Sequence, residues 1–96
     1  MTKSTKRSIL KLSGWTNSEI YIFEKFNFRC GRCRKQDAVT LHEIVPKSKR
    51  PLTWMQEDNR IPLCNDCHIW AHSRGYKNSM EELKRCLLSG TREQTK

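Results

Sequence analysis

Cys30-Gly31-Arg32-Cys33, then Leu41-His42-Glu43-Ile44-Val45-Pro46-Lys47-Ser48, then Asn59-Arg60-Ile61-Pro62-Leu63-Cys64-Asn65-Asp66-Cys67-His68-Ile69-Trp70-Ala71-His72 hold nearly all of the metal-binding chemistry in this chain. Sorted by ligand softness, these residues form two sets. Cys30, Cys33, Cys64 and Cys67 make a thiolate set, and His42, His68 and His72 make a nitrogen set. A Cys-x-x-Cys pair places two thiolates on one tight turn. Two such pairs separated by a long segment predict one tetrathiolate zinc, which makes the rest of the chain support for this span. A redox Cys-x-x-Cys is the rival reading, but it does not require a second pair downstream.

The order of these residues resembles the HNH endonuclease family, in the branch whose ββα-metal motif is stapled by a four-cysteine zinc and which bacteriophages and mobile elements encode. The resemblance spans about half of the chain and is anchored on Ile44-Val45-Pro46. It puts His42 on the family's first metal-ligand position, Glu43 on the position of the catalytic His, Asn59 on the middle Asn, and His68 and His72 on the helix ligands. Glu43 departs from the family pattern, with a carboxylate where the family carries an imidazole. The resemblance implies an α+β fold, a small zinc-stapled ββα-metal domain with flanking helices. It further implies a hydrolase that nicks or cuts DNA, leaving 5′-phosphate and 3′-hydroxyl ends. Its implied cofactors are a structural Zn²⁺ and one catalytic divalent cation, Mg²⁺, Mn²⁺, Ni²⁺ or Zn²⁺. Its implied partners are DNA and, for phage relatives, proteins of DNA packaging, in the cytoplasm of a host cell.

Length and composition agree with a stapled domain. Ninety-six residues with 35% apolar and 30% charged side chains make a lean core for an unaided fold. A structural zinc supplies on the order of 10 kcal/mol that becomes folding free energy. The formal charge of +9 favours a polyanionic partner. Lys47, Lys49 and Arg50 follow the first predicted strand directly, so they are the candidate nucleic-acid contacts. Five cysteines in two pairs and a remainder, with no apolar segment near the N-terminus, predict a reducing, cytoplasmic compartment with Cys86 unpaired. No apolar run is long enough to span a bilayer, so no membrane role is expected.

In chain order, residues 1–13 read as a basic N-terminal arm, residues 14–90 as the nuclease domain and residues 91–96 as a polar tail. Trp15 to Glu19 offers a helix cap, with Ile20, Phe23 and Phe26 at helical spacing behind it. Gly31 is read as the residue that allows the knuckle's tight turn. Residues 38–45 predict a strand on which His42 and Glu43 face opposite sides, so a bulge or twist is expected if both serve one site. The loop 47–58 carries Trp54 and Met55 as a plug over the core. Asn59 opens a second short strand. Asn65 or Asp66 should cap a helix that ends at Gly75, with His68 and His72 on one face. Ser79-Met80-Glu81-Glu82 reads as a capping box for a last helix ending at Gly90.

In the mechanism this predicts, His42, His68 and His72 hold the cation, Glu43 stands where the base belongs, and Asn59 orients the base and its strand. Two other classes remain open. A non-catalytic zinc-ribbon module would grip nucleic acid without cutting it, and a protein-interaction adaptor would have no salt-sensitive affinity for DNA.

Overall fold

Period-two alternation along two four-residue strands decides which residues meet in this fold. The computed structural model describes residues 2–94, with side chains through residue 89. Met1 of the expected arm, and Thr95 and Lys96 of the expected tail, lie outside the described residues. In chain order the elements are α1 (Lys3–Leu12), α2 (Asn17–Lys25), β1 (Thr40–Glu43), a 3-10 turn (Glu57–Asn59), β2 (Arg60–Leu63), α3 (Asn65–Arg74) and α4 (Tyr76–Gln94). β1 and β2 pair antiparallel with Leu41 opposite Pro62, His42 opposite Ile61 and Glu43 opposite Arg60. Mixed helices around a two-stranded sheet, with four cysteines clustered, are the architecture expected.

The sheet's two faces belong to two apolar clusters. Ile61 and Leu63 pack with Phe26, Ile44, Ala71 and Leu83, joining α3 and α4 to one side. Leu41 packs with Ile22, Phe23 and Phe28 on the side of α1 and α2. Trp15 meets Phe23 edge to face at 5.2 Å between ring centroids, which seats the start of α2 on this second cluster.

α2 begins as its sequence predicts. The Thr16 hydroxyl accepts from the Glu19 amide and the Glu19 carboxylate accepts from the Thr16 amide, a reciprocal capping box. The basic segment before it differs from the arm expected. It is helical, Thr2 caps it, and it is docked along its length, not only at the end where Ile9, Leu10 and Leu12 are expected to tie it to the body. Lys3 and Arg7 lie 3.7 and 3.9 Å from the Glu24 carboxylate, and Lys6 sits over the Phe28 ring. Leu10 joins the second cluster, while Leu12 stays in solvent.

The last helix also differs from its expected bounds. Ser79 does not cap it, because the chain is already helical from Tyr76. The Ser79 hydroxyl instead donates back to the Gly75 carbonyl at 3.0 Å. Gly90 does not stop it either, since α4 continues to Gln94 and takes in most of the expected polar tail. A lone glycine inside a helix costs only about 1 kcal/mol relative to alanine. Gly75 does mark the boundary between α3 and α4, with a φ of 80° that a side chain would strain. Among the described residues no helix is long and apolar enough to cross a membrane.

One buried ion pair ties α2 to β2. Arg60 Nη1 donates to Glu19 Oε2 at 2.9 Å, with 6% and 16% of the two side chains exposed. Burial pushes the Glu19 carboxyl up, but hydrogen bonds from Thr16 and Arg60 outweigh it and hold the group below its ordinary value. A depressed carboxyl stabilises the fold above its unfolded value and loses that contribution as pH falls through the folded one. Glu19→Gln should therefore lower stability by about 3 kcal/mol at pH 7. The deficit should shrink as the pH drops below 4.5. Thermal melts of parent and variant across that range check it, and a deficit independent of pH would contradict it.

Candidate functional site

Cysteine placement begins in the backbone. Residues 29–37 fold back on themselves, with Arg29 bridged to Asp37 and the Cys30 amide donating to the Gln36 carbonyl at 2.8 Å. Inside this knuckle the amides of Arg32 and Cys33 both lie 3.4 Å from Cys30 Sγ, so the turn itself supplies donors to a thiolate. The left-handed residue that closes the turn is Arg34, at φ 61°, and not Gly31. Gly31 is required for a different reason than the turn: a Cβ there would sit 2.7 Å from Ile61 Cγ1. Its amide also donates to the Pro62 carbonyl at 2.7 Å, which docks the knuckle on β2.

The second pair sits where β2 becomes α3. Cys64, rather than Asn65 or Asp66, is the N-cap of α3, and its sulfur accepts from the Cys67 amide at 3.4 Å. A thiolate therefore does the work expected of an Asn or Asp side chain. The four Sγ atoms lie within 4.8 Å of one another. Zn–S bonds of about 2.3 Å in a tetrahedron give sulfur–sulfur edges of about 3.8 Å. Cys33 and Cys64 stand 3.8 Å apart. This cluster could hold a zinc ion.

The thiols' electrostatics favour such an ion. Burial raises Cys33, yet hydrogen bonds from the backbone at Lys35 and Gln36 and from neighbouring thiols bring it down to about 7. Cys67 is pushed up to about 12 by burial and by Cys30 and Cys64, against the pull of Arg32. Four clustered thiols, three of them buried, cannot all ionise side by side without a cation, and a zinc ion would resolve that conflict. Arg32 buttresses the cluster, donating to Cys67 Sγ at 3.6 Å and to Glu82 Oε2 at 2.7 Å with its guanidinium 3.6 Å above the Trp70 ring. One side chain thus ties the knuckle to α3 and α4. Cys86 stays outside the cluster and packs half-buried against the core, as a small hydrophobe would.

The histidines converge as well. His42 projects from β1 toward α3, where His68 and His72 share a face one turn apart. Ring centroids are 5.4 Å apart for His42–His68, 5.5 Å for His42–His72 and 4.5 Å for His68–His72. Their ligand nitrogens lie within 4.8 Å of one another, and the two Nε2 atoms on α3 are 3.0 Å apart. His42 Nε2 is buried with no hydrogen-bond partner, and a metal ion would satisfy it. Burial, then the neighbouring His68 and His72, pulls His42 down to about 4. Burial and His72 lower His68 too, against the opposing pull of Glu43. Neutral imidazoles are the ligand form. They open onto a cavity of about 280 Å³ also lined by Leu41, Glu43, Pro46, Ala71, Gly75 and Tyr76.

Of the remaining candidates, Glu43 borders this cavity and Asn59, Lys47, Lys49 and Arg50 do not line it. The expected bulge is missing: register runs unbroken through Glu43, whose carboxylate lies 3.9 Å from Arg60 Nη2 at the border of the cavity. Asn59 is 1% exposed and bonds only to backbone. Its Oδ1 accepts from the Val45 amide at 2.8 Å, and its Nδ2 donates to the carbonyls of Val45 and Trp54 at 2.9 and 3.0 Å. It staples the loop to the backbone that leaves β1 at Val45, so it holds the strand as expected and makes no direct contact with Glu43. Arg50 is committed to the same loop, donating to Thr53, Gln56 and Asp58. Lys47 and Lys49 remain exposed; Trp54 is half-buried between Lys47 and Arg60 rather than packed on either apolar cluster, and Met55 is mostly in solvent. Sequence reasoning missed Arg60 and Tyr76. The adjacency of Arg60 to Asn59 was visible, but its pairing with Glu43 depends on strand register.

Comparison with family models, curated proteins and solved structures finds no match for this chain.

Stripping the bound metal with phenanthroline should abolish the cooperative thermal transition, because about 10 kcal/mol of folding free energy leaves with a tetrathiolate zinc. Cys64→Ala should reproduce that loss, whereas Cys86→Ala should fold and retain its zinc. Circular dichroism melts with a colorimetric zinc count check this. A metal-free parent that melts like the loaded one would contradict it.

Proposed function

We propose that this chain is a metal-dependent DNA endonuclease of the HNH type, a β-hairpin and helix held by a four-cysteine zinc. One observation carries the reading. A strand histidine and two helix histidines bring their ring nitrogens within 4.8 Å of one another at the wall of an open cavity. Three nitrogen ligands and room beside them are what phosphodiester hydrolysis asks of a protein. When bound, a divalent cation supplies the positive charge that a scissile phosphate and its leaving 3′ oxygen need in the transition state.

The chain's own residues do the rest. His42, 9% exposed and wedged between the sheet and α3, fixes where the cation sits, while the exposed His72 faces incoming substrate. Glu43 borders the same cavity and is the group available to take a proton from an attacking water. A carboxylate accepts a proton less well than an imidazole, so cleavage should be slow. Hydrolysis in line leaves 5′-phosphate and 3′-hydroxyl ends. Lys47 and Lys49, at the start of the loop leaving the cavity at Pro46, supply salt-sensitive phosphate contacts.

A second reading has one observation in its favour. The Glu43 carboxylate is shared with Arg60, which suits a zinc-ribbon module that binds nucleic acid without cutting. Plasmid nicking with a panel of divalent metals separates the two. Cleavage should require added metal and fall below detection in His68→Ala, while Glu43→Gln should slow it by about 100-fold with metal content unchanged. Cleavage that survives His68→Ala, or binding with no metal-dependent cleavage at all, would remove the nuclease reading.

A further inference from the structure

Arg60 is nearly buried, and its position is fixed by contacts on several sides. Its guanidinium donates to Glu19 at 2.9 Å, lies 5.7 Å from the Trp54 ring and reaches Glu43 at 3.9 Å. Its Nε has no hydrogen-bond partner. Glu19 is anchored in turn by the capping box of α2, so the guanidinium cannot follow Glu43 if Glu43 moves. The unequal distances matter. Glu19 takes the close contact and Glu43 the longer one, so one positive charge is divided between two carboxylates. Glu43 is restrained by the longer contact and still borders the cavity that His68 lines.

We infer that Arg60 is a positioning residue, holding the Glu43 carboxylate at the rim of the three-histidine cavity and out of the coordination sphere of an ion bound there. The inference rests on the reading of that cavity as a metal-dependent nuclease site. A carboxylate on the residue next to a histidine ligand is a good oxygen ligand for divalent ions. Left free, Glu43 would compete for a position that substrate must occupy. The cross-strand pairing of Glu43 with Arg60 prevents this, because a strand without a bulge sends Glu43 toward α2 while His42 faces α3. An outer-shell group of this kind tunes a metal site without touching the metal.

The test reads metal binding, not cleavage. Protein with zinc in its cysteine cluster is titrated with Co²⁺, whose visible absorption reports the ligands and coordination number at the histidines. Glu43→Gln alone should leave Co²⁺ affinity within twofold of the parent and the band unchanged. Arg60→Met should tighten Co²⁺ binding at least fivefold and weaken the band as a carboxylate enters, and adding Glu43→Gln should restore both. Arg60→Lys, which keeps the charge but cannot span both carboxylates, should shift the same way by a smaller factor, and it covers the case in which Arg60→Met does not fold. A band or affinity that changes in Glu43→Gln alone would overturn the inference, as would a folded Arg60→Lys indistinguishable from the parent. A parent that binds Co²⁺ but leaves plasmid intact removes the nuclease reading, and the Co²⁺ comparison still decides whether Arg60 holds Glu43 back.

Discussion

Four sulfur atoms crowded within 4.8 Å of one another are the constraint from which the rest of this structure follows. Clustered thiols repel one another once ionised, and a cation that the four could hold would draw them together. Once drawn together, the knuckle is pinned to β2 through Gly31 and Pro62, and α3 is launched from Cys64 as its cap. The direction of α3 is thereby set at Cys64, one of the four cysteines that could hold a zinc ion. A helix of 10 residues with only Cys67 and Ala71 fully buried would be marginal without that anchor.

The histidine site is a consequence of this geometry. β1 is aligned by its pairing with β2, and β2 leads directly into the cysteine cap of α3. The strand that carries His42 and the helix that carries His68 and His72 thus share one rigid corner. Asn59 strengthens the same corner by closing the loop between the strands. Functional groups placed on a strand and a helix are held more precisely than groups on loops, which suits a site whose ligands must converge. Opposite strand faces then divide the work: His42 faces α3, and Glu43 faces the buried pair of Arg60 and Glu19.

Features governed by local spacing were readable from the chain alone. The two cysteine pairs, the one-turn separation of His68 and His72, the capping box at Thr16 and the stop at Gly75 each rest on a few neighbouring residues. Features settled by distant contacts were not. Gly31 looked like a turn residue, but its lack of a side chain serves the close approach of Ile61, some thirty positions on. Ser79 and Gly90 carried local signals for a helix start and stop, yet packing of Leu83 and its neighbours against the core extends α4 past both. The basic segment 1–13 holds no acidic residue, and its partner Glu24 comes from a separate helix, α2. Arg60 escaped notice because its two carboxylates come from different elements.

A crystal structure of the metal-loaded protein, with anomalous scattering recorded on both sides of the metal edge, tests the central claim most directly. The account predicts two ions per chain. One should be surrounded by the sulfurs of Cys30, Cys33, Cys64 and Cys67 at about 2.3 Å, and the other bound by nitrogens of His42, His68 and His72 at about 2.1 Å. A single ion among the sulfurs, with His42 turned away from the α3 pair, would contradict it.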